Sequence, residues 1–259
     1  MAPAARYTRR LNSPIGWQEQ MAMPFALCDD GTNFYARYCD YPTIMGAPVT
    51  LRGRFISIEG GEGVGKSTQI AALAAFITQK GFEVILTREP GGTEGAETIR
   101  QLVLGGSAER WMPRAEALLF AAARSDHVER LIEPALASGK WVISDRFIDS
   151  SRAYQGGGSG LSDIDIMTLH QIGSRGMLPD RTLILRLDTK EAASRAAARD
   201  QNQPDRIQGR TEIFHSDVDM AFVSFAEQEP RVRLVDASGT ADAVTARLLT
   251  EISDLLEPA

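Results

Sequence analysis

The stretch Gly60-Gly61-Glu62-Gly63-Val64-Gly65-Lys66-Ser67, followed by Thr68, satisfies GxxxxGK[S/T], the pattern of a loop that wraps a polyphosphate. Its glycines let successive backbone N–H groups curl round phosphate oxygens, and the helix that follows adds the positive end of its dipole. Lys66 would bridge the terminal phosphates, and the Ser67 hydroxyl suits Mg²⁺. The pattern carries weight only between a strand and a helix. Both are predicted: "RFISIEG" is a short apolar run entering the turn, and "KSTQIAALAAFITQKG" is an Ala- and Leu-rich helix closed by Gly81. The pattern implies phosphoryl transfer from a nucleoside triphosphate to a small acceptor.

Three further segments carry polar residues of the right kind. Asp145 ends the apolar run "WVISD" and is followed by Arg146, and an acid there can hold the hydration shell of a magnesium ion. Taken alone, such an Asp is as readily a turn former or helix cap. In "TREPGGT", residues 87 to 93, Arg88 stands at a strand's carboxyl end, where a guanidinium can grip an acceptor phosphate with two N–H groups. The bland alternative is a surface turn with a salt bridge between neighbours. In "RAAARDQNQPDRIQGR", Arg195 and Arg199 fall on one helical face, with Arg206 and Arg210 beyond a polar stretch. Such a segment can close as a lid over the transferring group, although arginine-rich helix ends are more commonly solvated.

The elements that would position these residues read as one α/β domain. After "RFISIEG" come "FEVILT", helical stretches near 94–104 and 114–138, "WVISD", "RTLILRLD" and "RVRLVDA". Apolar strands alternating with helices imply a parallel sheet covered on both faces, with ligands beyond the strands' carboxyl ends. The chain of 259 residues is 43% hydrophobic and 24% charged, and its net charge of −6 argues against nonspecific nucleic-acid binding. No run approaches the ~18 apolar residues of a membrane helix. The two cysteines, Cys28 and Cys39, make no disulfide framework and fit a reducing, cytoplasmic setting. Residues 1–52, with prolines at 3, 14, 24, 42 and 48, show no sustained periodicity and are expected to lie outside the fold as an extension. Early arginines hint at a transit peptide, but Glu19, Asp29 and Asp30 interrupt the basic pattern.

Taken in order, "FISIEGGEGVGKST", "TREPGGT", "LLFAAARSDHV", "ISDRF", "SSRAYQGGG" and "DRI" closely resemble the bacterial thymidylate kinase (dTMP kinase) family, from about residue 53 to the C-terminus. The resemblance implies a P-loop kinase core of five parallel strands with helices on both faces, a lid at about 195–211, and the reaction of ATP and dTMP to ADP and dTDP with Mg²⁺. It also implies a homodimer. By matching positions, Glu62 would accept from the sugar 3′-hydroxyl, Arg88 and Arg146 would hold the acceptor phosphate, Phe120 would stack on thymine, and Arg124 would bond the base edge. Tyr154 and Gln155 would line the sugar and base pocket, with Ser151 helping to read the base. Phe120 and Arg124, four residues apart on a helix, share a face, although core packing would also place a Phe there.

In this family the catalytic arginine comes from the P-loop or from the lid, and Gly63 fills the P-loop position that can be arginine. The candidates are then Arg195, Arg199 and Arg206. Gln208 after "DRI" and the long N-terminal extension depart from the family pattern, and His127, His170 and His215 receive no role. The rivals are a P-loop kinase for another nucleoside or nucleoside monophosphate, and a noncatalytic nucleotide switch, against which the acceptor pocket of "TREPGGT" speaks. Arg199→Ala is expected to lower kcat by roughly 10³-fold, the low end of the arginine-finger scale. Steady-state kinetics check this, and an unchanged kcat would remove Arg199 from the mechanism.

Overall fold

The computed structural model describes residues 52–107, 109–188, 191–192, 194–195, 206–207 and 209–256. The N-terminal extension up to residue 51, Arg199, Gln208 and most of the lid segment fall outside them.

Five strands, β1 (Phe55–Gly60), β2 (Val84–Arg88), β3 (Trp141–Asp145), β4 (Arg181–Arg186) and β5 (Val232–Asp236), form one wholly parallel sheet in the order β2-β3-β1-β4-β5. β1 is central and buried along its whole length, as the unbroken apolar run predicts for a strand covered on both faces. The chain leaves β1 toward β3 and β2 on one side and returns to β4 and β5 on the other. Its carboxyl end is therefore the point where the winding reverses and a crevice opens.

One face of the sheet is covered by α1 (Lys66–Gln79) and α8 (Ala241–Glu251), whose Ile70, Leu73, Ile77, Val244 and Leu248 pack with Ile56, Ile58, Ile143, Leu183 and Leu185. The opposite face carries α3 (Pro113–His127), α4 (Glu133–Ala137), α5 (Ile148–Ser151), α6 (Asp163–Ser174) and α7 (Glu212–Gln228), around Phe55, Phe147, Ile148, Phe214 and Phe222. α2 (Glu94–Leu104) packs on α3. The helix expected near 114–138 is continuous in space but opens into a π turn at Val128–Ile132. Pro134 follows, and since it has no N–H to give to the turn before it, a regular α ladder cannot pass through.

A buried carboxylate fastens α5 to the sheet. Both oxygens of Asp149 accept from the Arg231 guanidinium, at 2.7 and 2.8 Å, and they also accept Arg152 Nη1 at 3.0 Å and the Thr182 hydroxyl at 2.8 Å. Burial opposes its charge, but Arg231 and Arg152 hold its pKa below the usual carboxylate value. Thr182 in turn shares a hydrogen bond with Ser57 on the neighbouring strand. Removing the carboxylate would take one ion partner from each of two guanidiniums, while Arg152 keeps Asp163 and Glu229 and Arg231 keeps Glu229. Asp149→Ala is expected to cost about 1.5–3 kcal/mol of stability, the scale for lost hydrogen bonds to a charged group whose partners stay paired elsewhere, read from the midpoint of urea unfolding.

Candidate active site

The loop between β1 and α1 takes left-handed backbone at Gly60 (φ 127°), Gly63 (φ 72°) and Gly65 (φ 95°). Gly60 is required twice over, because a Cβ there would sit 2.4 Å from the Leu185 carbonyl oxygen of β4. Lys66 turns back over the loop and donates to the carbonyls of Gly60 (3.2 Å) and Gly61 (2.7 Å). Burial and the nearby Arg146 lower its pKa to about 8, against the opposing pull of Glu62, Asp145 and Glu59. No side chain caps α1 and no acid lies in its first turn, so the positive helix end, with Ser67 and Thr68 exposed, is open to an anion.

Two strand ends face this loop. The β2–β3 register sets Arg88 beside Asp145. With Ser67, Thr87, Gly92 and Thr93 they line a cleft of about 580 Å³. Asp145 Oδ1 is buried and has no hydrogen-bond partner, an unusual state for a carboxylate oxygen. Arg88 is 56% exposed and pairs with Glu97 at 2.9 Å, which is the neighbour salt bridge that sequence left open for it. Arg146 follows Asp145 with φ 72°, a strained value for a side-chain-bearing residue. Its guanidinium donates to Glu62 Oε1 and to Ser150 Oγ, both at 3.1 Å, and lies 5.0 Å from the centre of the Tyr154 ring. Burial works against the charge of Arg146, but Tyr154, Glu62, Asp145 and Glu59 outweigh it and raise its pKa.

That strained turn rests on Glu59, a wholly buried acid at the end of β1. Glu59 accepts the backbone N–H of Phe147 (2.8 Å) and the hydroxyl of Ser150 (2.5 Å). Burial, then Asp149, push its pKa up to about 8. Glu59 received no role from sequence, although an acid inside an apolar strand run is itself a signal, since buried carboxylates are almost always partnered.

The acceptor-side candidates come together. Arg124 is buried; its Nε donates to Glu89 at 2.8 Å and its Nη2 to Ser151 Oγ at 2.7 Å. Phe120, one turn earlier, is half-buried against the cluster holding Tyr154, Ile207 and Phe214. Tyr154 and Gln155 lie in a π-helical turn, Arg152–Gly158, and the Gln155 amide donates to Glu116 at 2.9 Å. His127, given no role from sequence, is fully buried. Its Nδ1 lies 3.1 Å from Glu89 Oε1 and its Nε2 lies 2.6 Å from Thr87 Oγ1. Glu89 thus fixes the arginine and the histidine together. Gly92 is confined by the same group: a Cβ there would meet Thr87 Oγ1 at 2.5 Å and His127 Nε2 at 2.6 Å.

The lid candidates do not share one surrounding. Arg195 is 38% exposed and pairs with Glu191 four residues before it. Arg199 lies outside the described residues. Arg206 is buried; it gives Nε–H to the Val103 carbonyl at 2.8 Å and Nη2 to Glu116. Sequence placed Arg206 among the catalytic arginines, whereas its guanidinium is turned into the protein.

A P-loop at the carboxyl end of a five-stranded parallel sheet, facing arginines from two other strand ends, defines a P-loop nucleotide-binding protein of the kinase type. The thymidylate kinase family model matches residues 58–248. The chain is 57% identical over 207 residues to the thymidylate kinase of Rhizorhabdus wittichii, covering 80% of this chain and 100% of that protein. It is 46% identical over 209 residues to that of Bradyrhizobium diazoefficiens, covering 80% and 92%. Among solved structures, the thymidylate kinase of Ehrlichia chaffeensis superposes with a TM-score of 0.62 at 29% identity, over 80% of this chain and 100% of the other. The chain belongs to the thymidylate kinase family.

Glu59 generates a test of the buried acid. With an unfolded pKa of 4.5 and a folded one of about 8, the folded state keeps a proton that the unfolded state sheds over that interval. The stability contributed is therefore whole below pH 4.5 and is lost as pH rises toward 8. Glu59→Gln, an isostere of the protonated acid, is expected to flatten this decline by up to about 1.4 kcal/mol per pH unit. The difference between wild type and variant in urea unfolding across pH 5 to 8 isolates it from other titrating groups.

Proposed function

We propose that this protein transfers the γ-phosphoryl group of ATP to the 5′-phosphate of dTMP, giving ADP and dTDP. The observation that carries the reading is the meeting of two anion-binding corners in one cleft. Ser67, next to Lys66 at the uncapped start of the P-loop helix, lines this cleft together with Arg88 and with Asp145, the residue before Arg146. A protein that only switches between nucleotides has no use for the second corner.

In this reading the backbone of Gly60 to Gly65 and the Thr68 end of α1 cradle the donor phosphates, and Lys66 exchanges its two carbonyl partners for phosphate oxygens. The carboxylate of Glu62 orients Arg146 from one side and accepts the sugar 3′-hydroxyl from the other. Phe120 offers its remaining face to the base, Arg124 and Ser151 read the base edge, and Tyr154 with Gln155 closes the sugar side. Mg²⁺ suits Ser67 and the unpartnered oxygen of Asp145, and when bound it would neutralise charge on the donor phosphates. Among the described residues no group of three or more His, Cys, Asp or Glu converges, so the cation would rest largely on water and phosphate oxygens. Arg195 and Arg199 are the arginines assigned to the moving group, with Arg206 as an anchor. Transfer of this kind depends on positioning and charge neutralisation, and needs no histidine base.

A homodimer fits the exposed stripe of Ile164 and Ile172 on α6 beside Leu118 of α3. The low cysteine content supports a cytoplasmic setting. Among the described residues no helix is long and apolar enough to cross a membrane.

The reading is tested by ADP release from Mg-ATP with dTMP, dUMP, dCMP, dGMP, AMP or thymidine as acceptor. Strong preference for dTMP is expected. Preference for another acceptor would overturn the pocket assigned to Phe120 and Arg124, and no acceptor-dependent ADP would overturn the kinase reading.

A further inference from the structure

Glu116 lies in the first turn of α3, one turn ahead of Phe120 and two ahead of Arg124, and its side chain is fully buried. One carboxylate oxygen accepts the Gln155 amide at 2.9 Å. The other accepts one N–H from Arg206 and one from Arg210. Arg206 also holds the Val103 carbonyl near the end of α2. Arg210 donates to Ser159 Oγ at 2.8 Å and lies 4.6 Å from the centre of the Phe214 ring, while Ser159 Oγ donates at 3.0 Å to the Tyr154 carbonyl. One carboxylate therefore touches three segments. These are the helix that carries Phe120 and Arg124, the π-helical turn that carries Tyr154 and Gln155, and the chain just beyond the arginine-rich stretch.

Two guanidiniums brought to one oxygen inside the protein repel each other unless a counter-charge lies between them, and Glu116 is that charge. It also fixes the direction of the Gln155 amide, because an ionised carboxylate can only accept. None of these bonds reaches the P-loop, so the arrangement serves the acceptor side and the segment beyond it. The geometry points to Glu116 as a positioning residue that couples the acceptor pocket to Arg206 and Arg210: the same group that sets the pocket wall holds both guanidiniums. This rests on the acceptor pocket proposed above. The positioning role differs from that of a structural staple in one observable. A staple affects how much protein is folded, whereas coupling changes turnover in protein that is fully folded.

The test is steady-state kinetics of the full-length Glu116→Gln variant, its folding verified by a melting curve, with ATP and dTMP varied separately. The charge-free isostere is expected to lower kcat by about tenfold or more and raise the KM for dTMP severalfold, leaving the KM for ATP within about twofold. A folded variant with unchanged kcat would overturn the inference. Should Glu116→Gln not fold, Arg210→Gln leaves Glu116 and Arg206 paired one to one, and a fall in kcat of about threefold or more is expected from loss of one tether. An unchanged kcat in that variant overturns the inference equally. Wild-type protein that forms no ADP in response to dTMP removes the acceptor reading beneath it, whereas active wild type with indifferent variants removes this inference alone.

Discussion

Charge withdrawn from water at the carboxyl edge of a parallel sheet must be balanced within a few ångströms, and the site is organised around that constraint. A cleft built to hold two polyanions needs cations around it, and without ligand each cation must find protein oxygen. Buried Glu89, Glu116 and Asp149 pair with arginines in this way, Glu59 acts as an acceptor of neutral donors, and each gathers more than one chain segment. Glu59 holds the turn of Arg146, Glu89 holds Arg124 and His127, Glu116 holds Arg206 and Arg210, and Asp149, deeper in the protein, ties α5 to the amino ends of β4 and β5 through Thr182 and Arg231. Breaking the Glu89–Arg124 pair would leave a buried guanidinium without its ion partner, which costs far more than loss of a surface pair. The loops at this edge are therefore held by side-chain electrostatics as much as by backbone ladders.

This explains which parts were legible in the sequence. The P-loop is a local device: its glycines, lysine and serine act within eight consecutive positions, so their spacing is sufficient. The five strands were legible too, since a sheet buried on both faces demands unbroken apolar runs. Arg88 and Arg146 could be singled out because they stand at strand ends, whereas Arg124 and Phe120 were marked by the family resemblance, with which their shared helix face agrees. Their partners could not, because Glu89 and Arg124, or Glu59 and Ser150, are joined only by the fold. His127 looked idle for the same reason, as its use depends on Thr87 and Glu89, forty and thirty-eight positions away.

Arg206 shows the limit most clearly. An arginine in a polar, arginine-rich stretch reads as a free cation available to substrate, and no local pattern distinguishes a guanidinium that reaches outward from one turned into the protein. That choice is made by Glu116 and the Val103 carbonyl, which lie about a hundred residues earlier in the chain. The interruption at Val128–Ile132 is the converse case: Pro134 announces that the helix cannot run unbroken, but not whether it bends, stops or widens.

Arg88 differs from the buried Arg124 and Arg206, and it lines the cleft from an exposed position. Its partner Glu97 is bound independently, accepting the Gly92 N–H at 3.0 Å, so Arg88 can leave without releasing the loop. The Arg88 contact is exposed and of the kind that contributes only about 0–1 kcal/mol. An arriving phosphate therefore competes with a weak tether and acts as an ion exchanger, taking a guanidinium from a carboxylate that already has another donor. Mobile salt screens such an exchange at the protein surface but leaves the inner arginines largely untouched. Ionic strength should thus act on capture of the acceptor before it acts on the chemistry.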